Sequence, residues 1–250
     1  MTQNSTAKTS TAKTKTALVT GANKGIGYEI AAGLARLGFR VAVGARDTGR
    51  RDEAVRRLRA EGLDVFGVPL DVTDDASVAA AAAQLDEQGG LDVLVNNAAI
   101  TGGVPQEPSK VSAEQVLEVV DTNVVGVIRV TNAMLPMLRR AESPRIVNVS
   151  STVGSLTLQT AQTEAVGPIS GAYSPTKSYL NALTVQYAKD LAETGILVNA
   201  GCPGYVATDL NGHRGTRTPE QGAAVFLTLA TLPDGGPTGT FRDDSGLQPW

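Results

Sequence analysis

Tyr173 and Lys177 stand four apart in the run Tyr173-Ser174-Pro175-Thr176-Lys177, a spacing that puts both side chains on one face of a helix. A free phenol titrates near ~10 and is a slow acid–base partner at neutrality. An ammonium beside it favours the phenolate: unit charges ~4 Å apart attract by roughly 4 kcal/mol at an effective dielectric of ~20, and desolvation of the lysine subtracts from that. On its own such a pair is more often surface decoration, so its chemistry depends on what else the chain supplies. A second constellation is Thr20-Gly21-Ala22-Asn23-Lys24-Gly25-Ile26-Gly27, directly after the apolar run Ala17-Leu18-Val19. Gly21 permits a sharp turn off a strand, Gly25 lets backbone approach a pyrophosphate at a helix N-terminus, and Gly27 lets that helix pack close to a sheet. A strand before and a helix after strengthen this reading against a glycine-rich turn that binds nothing. A kinase-type phosphate loop is excluded, because Gly-Lys-Ser/Thr is absent.

The adenosine end of a dinucleotide held there would meet the tip of the second strand. An NAD-specific pocket places an acid at that tip to accept the ribose 2′-hydroxyl. Here the strand ends Val43-Gly44-Ala45-Arg46, without an acid. Arg46, Arg50 and Lys24 offer cations to a 2′-phosphate instead, arginine through paired donors and lysine as a point charge. Asp47 counts against this, although it lies beyond the tip, where it can cap the following turn. An ordinary solvated Arg-rich helix start is the competing reading. The charge pattern favours NADP(H).

These groups need a scaffold, and the chain's rhythm describes one. Strands are expected over 17–20, 40–44, 64–70, 91–95, 145–149 and 196–200, with a short one near 240–242. Helices are expected over 24–37, 51–60, 74–88, 112–140, 173–193 and 219–231. Gly38, Gly62 and Gly89-Gly90 end three of them, Asp74 is a suitable N-cap, and Pro219 opens the last. Strands alternating with helices of this length make βαβ units. Right-handed crossovers then give an α/β fold, a doubly wound parallel sheet with helices on both faces, in one domain over 16–250. Residues 1–15 are expected to form a flexible Ser/Thr/Lys arm, in which Ser5-Thr6-Ala7-Lys8-Thr9 recurs as Ser10-Thr11-Ala12-Lys13-Thr14 with little to bury.

The glycine spacing is G-x-x-x-G-x-G, and with the motifs that follow it the chain resembles the short-chain dehydrogenase/reductase family. Asn96-Asn97-Ala98-Ala99 ends the fourth strand, where that family usually has Asn-Asn-Ala-Gly. Asn123 lies in the long helix, Ser150-Ser151 ends the fifth strand, Tyr173 and Lys177 follow, and Pro203-Gly204 comes after the sixth strand. The resemblance runs from residue 16 to the C-terminus and implies a Rossmann fold. It implies that Tyr173 is the general acid, that Lys177 holds the nicotinamide ribose and depresses the tyrosine, and that Ser151 donates to the reacting oxygen. Asn123 would complete a proton relay through water. Ser150 is the weaker candidate, since neighbouring strand residues point to opposite faces. For the cofactor, the resemblance implies contacts from Asn23, Ile26, Asn97, Ala98 and Val206 beside the glycines, from Asp71-Val72 at the adenine, and from Pro203, Gly204 and Thr208.

Within that family, Thr20 to Lys24, Gly44 to Asp47, Cys202 to Val206 and Gly239-Thr240-Phe241 resemble the NADPH-dependent carbonyl reductases. That resemblance implies hydride transfer to a ketone, aldehyde or quinone. Two departures stand out: Ala99 replaces a usual glycine, and the stretch 152–172 is longer than in most members. The stretch reads as a loop whose Leu156, Leu158, Val166 and Ile169 form one wall of a substrate pocket, with Tyr205 and the loop 211–217 opposite. Covering the core or a subunit contact is the alternative. In the carbonyl reductases an extension at this place obstructs family-type assembly, which favours a monomer or dimer over a tetramer.

Composition sets the remaining limits. With 22 Lys plus Arg against 25 Asp plus Glu, the net charge of −3 lacks the footprint of a nucleic-acid binder. Cys202 is the single cysteine and His213 the single histidine, which excludes an internal disulfide and disfavours a zinc site. No metal is expected. Cys202 reads as packing and His213 as a solvated loop residue. Apolar runs stop well short of the ~20 residues needed to cross a bilayer, and the arm lacks targeting features, so a soluble, cytoplasmic chain is expected. A non-catalytic NADP(H) sensor is the rival from another class, and the full Asn-Ser-Tyr-Lys set argues against it. A sugar-nucleotide epimerase would need a larger C-terminal domain than follows Thr208.

Overall fold

The computed structural model describes residues 14–161 and 167–250. The apolar runs form β1 (Thr16–Thr20), β2 (Arg40–Ala45), β3 (Val65–Pro69), β4 (Val93–Asn96), β5 (Arg145–Val149) and β6 (Leu197–Gly201), followed by β7 (Phe241–Asp243) and β8 (Gly246–Leu247). They make one sheet in the order β3-β2-β1-β4-β5-β6-β7-β8, parallel except for the β7–β8 pair. The helices are α1 (Gly25–Arg36), α2 (Thr48–Ala60), α3 (Asp75–Glu87), α4 (Ala113–Val120), α5 (Gly126–Leu138), α6 (Leu156–Thr160), α7 (Tyr173–Asp190) and α8 (Pro219–Ala230).

The central strands are apolar on both faces because both are covered. Ala17 and Val19 join a core with Ile30 of α1, Leu58 of α2 and Phe226 of α8. Leu18, between them in sequence, points the other way into a core with Leu85 of α3, Met134 of α5 and Leu191 after α7. The strand order reverses between β1 and β4, since the chain runs outward from β1 to β3 and then returns. Ligands of open α/β sheets bind beyond the strand ends at such a switch point. Both the glycine turn after β1 and Asn96-Asn97 at the end of β4 lie there.

Several expectations need correction. The helix expected over 112–140 is interrupted by a π-helical turn, Asp121–Val125, whose backbone stays right-handed, so residue periodicity did not reveal it. The stretch 152–172 is not all loop: a 3₁₀ turn, Thr152–Gly154, leads to α6, where the Ser155 hydroxyl accepts from Leu158 N at 3.1 Å. Residues 162–166, including Val166, lie outside the described residues, as do residues 1–13 of the arm. α2 starts at Thr48, earlier than expected, because Asp47 caps it by accepting from Arg50 N at 2.9 Å. Among the described residues no helix is long and apolar enough to cross a membrane.

Candidate active site

The glycine turn is held against the end of β4. Gly21 and Gly25 take positive φ, 64° and 57°, while Gly27 makes the close approach: a Cβ there would stand 2.6 Å from Gly21 O and collide with the Asn97 amide. Asn97 reaches back across the switch point, donating from Nδ2 to Thr20 O at 2.8 Å and Gly21 O at 3.2 Å. The Thr20 hydroxyl accepts from Asn97 N and Ala98 N, both at 2.9 Å. Asn97 therefore shapes the turn through its side chain. Ile26 packs against the core and Asn23 is half-buried.

At the adenosine end, Arg46 is exposed and has no hydrogen bond or ion pair among the described residues. Asp71 lies within its field. Burial raises the Asp71 carboxyl, but two hydrogen bonds from Thr73, with Arg46 and Arg129 nearby, outweigh that and hold it below its ordinary value. Val72 is buried, and its carbonyl accepts from Arg129 Nη1 at 2.6 Å. Arg50 is exposed, 3.7 Å from Asp47.

Lys24 is placed otherwise than its charge suggested. Its Nζ meets Asp209 Oδ2 at 2.5 Å, and His213 Nε2 reaches Asp209 Oδ1 at 2.8 Å. The ion pair joins the glycine turn to the loop after β6, where Thr208 Cγ2 would lie 3.4 Å from a Cβ on residue 25. Pro203 and Gly204 start that loop, and Val206 is buried and bridges to Arg217. Thus Gly25, Lys24 and Thr208 converge from opposite ends of the sequence.

Ser151, Tyr173 and Lys177 are brought together by close packing of the Thr152–Gly154 turn on α7. A Cβ on residue 154 would stand 2.6 Å from the Lys177 carbonyl carbon, so only glycine lets the turn lie this near. Ser151 is half-buried, and its hydroxyl accepts a long bond from Val153 N at 3.4 Å. Ser150 is turned into the interior, donating to Asn181 Oδ1 at 2.5 Å. Tyr173 begins α7, its N–H donating to Ser170 Oγ at 3.0 Å, while its hydroxyl has no hydrogen-bond partner among the described residues. Lys177 is 3% exposed, donates to Val149 O at 2.8 Å, and places Nζ 5.4 Å from the Tyr173 ring centroid.

The electrostatics differ from the expectation of a depressed phenol. Desolvation pushes Tyr173 above its ordinary value, with the Cys202 thiol adding to the rise, although the ring keeps some exposure. Desolvation also lowers Lys177 to about 8. Burial is the leading cause of both shifts; the ammonium lies over the ring face and is directed to the Val149 carbonyl. Tyr173 is thus a protonated, unpaired acid at neutral pH. Cys202, which sequence reasoning left as simple packing, lies within the field of both residues; its sulfur accepts from Thr152 N at 3.3 Å and Gly204 N at 3.4 Å.

Asn123 occupies the π-helical turn and is fully buried. It exchanges two hydrogen bonds with the Ile100 backbone, each 2.9 Å, and donates to Thr176 Oγ1 at 3.1 Å. It therefore ties the segment after β4 to α7, at a helix irregularity of the kind that concentrates at functional sites. Its side chain is occupied with this clamp. Among the described residues no group of three or more His, Cys, Asp or Glu side chains could hold a metal ion.

The fold and these placements define a dinucleotide-binding α/β protein with a Tyr–Lys centre. Residues 15–218 match the family model for short chain dehydrogenase, and the chain belongs to that family. It is 37% identical over 276 residues to carbonyl reductase 1 (NADPH) of Rattus norvegicus, covering 94% of this chain and 98% of that protein. Among solved structures, salutaridine reductase from Papaver somniferum superposes with a TM-score of 0.80 at 32% identity, covering 91% of this chain and 99% of that one. A variant of actinorhodin polyketide ketoreductase with NADPH gives 0.82, also at 32% identity, covering 93% and 96%.

Proposed function

We propose that this protein is an NADPH-dependent carbonyl reductase, with Tyr173 as the general acid. The observation that carries the reading is the partly exposed Tyr173, protonated and without a hydrogen-bond partner, one helical turn from the buried Lys177. The chain's residues fit the cofactor. The glycine turn leaves no side chain where a pyrophosphate would approach, and Arg46 offers an unpaired guanidinium to a 2′-phosphate. When bound, NADPH supplies a hydride to the carbonyl carbon. Tyr173 gives its hydroxyl proton to the carbonyl oxygen, so the product is an alcohol and a phenolate remains on the protein. Lys177, titrating near 8, carries its charge at neutral pH and stabilises that phenolate. Ser151 donates a hydrogen bond to the same oxygen.

Leu156 and Ile169 are exposed, not buried in the core, and Tyr205 and Leu210 are exposed on the loop after β6. This apolar rim favours carbonyl compounds with sizeable apolar bodies. The test is incubation with NADPH and a panel of ketones, aldehydes and quinones, following loss of the nicotinamide absorbance. Oxidation of NADPH by at least one apolar carbonyl is expected. Tight NADPH binding without turnover across the panel would refute the reading and leave a cofactor sensor.

A further inference from the structure

Away from that site, a buried cation is left with an unmet donor. Arg51, in the first turn of α2, is 7% exposed. Its stem lies across the edge strand β3 where residue 67 is glycine; a Cβ there would stand 3.1 Å from Arg51 Nε and 3.3 Å from Cδ. One edge of the guanidinium is used, since Nε and Nη2 meet Asp52 Oδ1 at 3.1 and 2.9 Å. Among the described residues Nη1 has no partner, so the end edge of the fork is not satisfied. A buried charge with an unpaired donor is costly and calls for a partner.

Arg51 lines an open groove of about 390 Å³ with Asp52, Val55, Arg56, Arg59 and Gly67. Arg59 is anchored there by Nε on Val65 O at 2.9 Å, and its terminal nitrogens have no partner among the described residues. Arg56 is exposed and pairs with Glu53 one turn away. Three guanidinium groups thus face the groove, against Asp52 within it and Glu53 beside it. Arg46 and Arg50 belong to the preceding turn and the start of α2, whereas Arg51 points to the edge of the sheet.

We propose that this groove is an anion site, separate from the cofactor groove, that takes a phosphate group. Planar forks donate to phosphate oxygens in pairs, which suits the Nε–Nη2 edge of Arg51 together with Arg59. The groove's own side chains close Nη1 off from solvent. Asp52 is largely exposed and free to turn outward, so an oxyanion that displaces it meets the Nε–Nη2 edge of Arg51.

The test is isothermal titration with inorganic phosphate and, separately, glycerol phosphate, at constant ionic strength and with NADPH saturating. One site per chain is expected, and the tighter of the two probes tells free phosphate from a phosphate ester. Arg51→Met and Arg59→Gln should each weaken binding by at least about tenfold, while Asp52→Asn tightens it by about threefold or more. NADPH affinity should be the same in all three variants. Arg59→Gln alters an exposed residue, so the test stands even if Arg51→Met does not fold. Absence of binding, equal binding in the variants, or heats that vanish once NADPH is added would overturn the proposal.

Discussion

Replacing Lys177 by Met should stabilise the protein at neutral pH while removing its chemistry. Lys177 is buried and its folded value lies near 8 against an ordinary 10.5. At about 1.4 kcal/mol for each pH unit, keeping it charged at neutrality costs about 3 kcal/mol. The variant also loses the 2.8 Å bond to Val149 O, worth about 1 kcal/mol, which leaves a net gain of about 2 kcal/mol. The sign follows from proton linkage. Between about 8 and 10.5 the unfolded chain holds more protons at this position than the folded one, so wild-type stability from this group rises with pH across that window. The variant lacks that rise. Urea unfolding followed by circular dichroism should give Lys177→Met a midpoint about 1 M above wild type at pH ~7, and an advantage that has disappeared by pH ~10. A variant less stable by the same amount at both pH values would overturn this, since the ammonium would then be stabilising the fold.

Other consequences follow from the cofactor groove and its rim. Arg46→Ala should weaken NADPH by about 1.5–3 kcal/mol and leave NADH unchanged in titrations; equal loss for both would make the arginine a structural residue. Asp209→Asn frees Lys24 from an exposed pair worth up to about 1 kcal/mol, so NADPH should bind up to about fivefold more tightly. Weaker NADPH binding would instead assign the pair to holding the loop. Leu158→Ala and Ile169→Ala should change KM among apolar carbonyl substrates without altering NADPH affinity, as read by parallel kinetics and titration.

The order of strands and helices was legible because apolar runs, glycine stops and capping residues agree locally. The doubly wound sheet with Tyr173 and Lys177 on one helix follows from that agreement. What escaped depends on contacts between distant segments. The π-helical turn at Asp121–Val125 leaves the backbone right-handed and is revealed only by its hydrogen bonds. β8 is two residues long and exists because it pairs with β7. α6 is only five residues long and is opened by the Ser155 cap, a signal too short to stand out from the glycines around it. Lys24 meets an acid 185 residues away, so its charge was visible and its partner was not. Asp47, an ambiguous acid in the sequence, is resolved as the cap of α2.

The Tyr173 hydroxyl, as the proposed acid of the reaction, has no other task in the fold. That hydroxyl has no hydrogen-bond partner among the described residues, so Tyr173→Phe should leave stability within about 0.5 kcal/mol of wild type. The direct measurement is single-turnover oxidation of bound NADPH by the best carbonyl substrate, with NADPH affinity determined on the same preparation. At least a ~10²-fold slower turnover at unchanged NADPH affinity is expected. Wild-type turnover in Tyr173→Phe would contradict it.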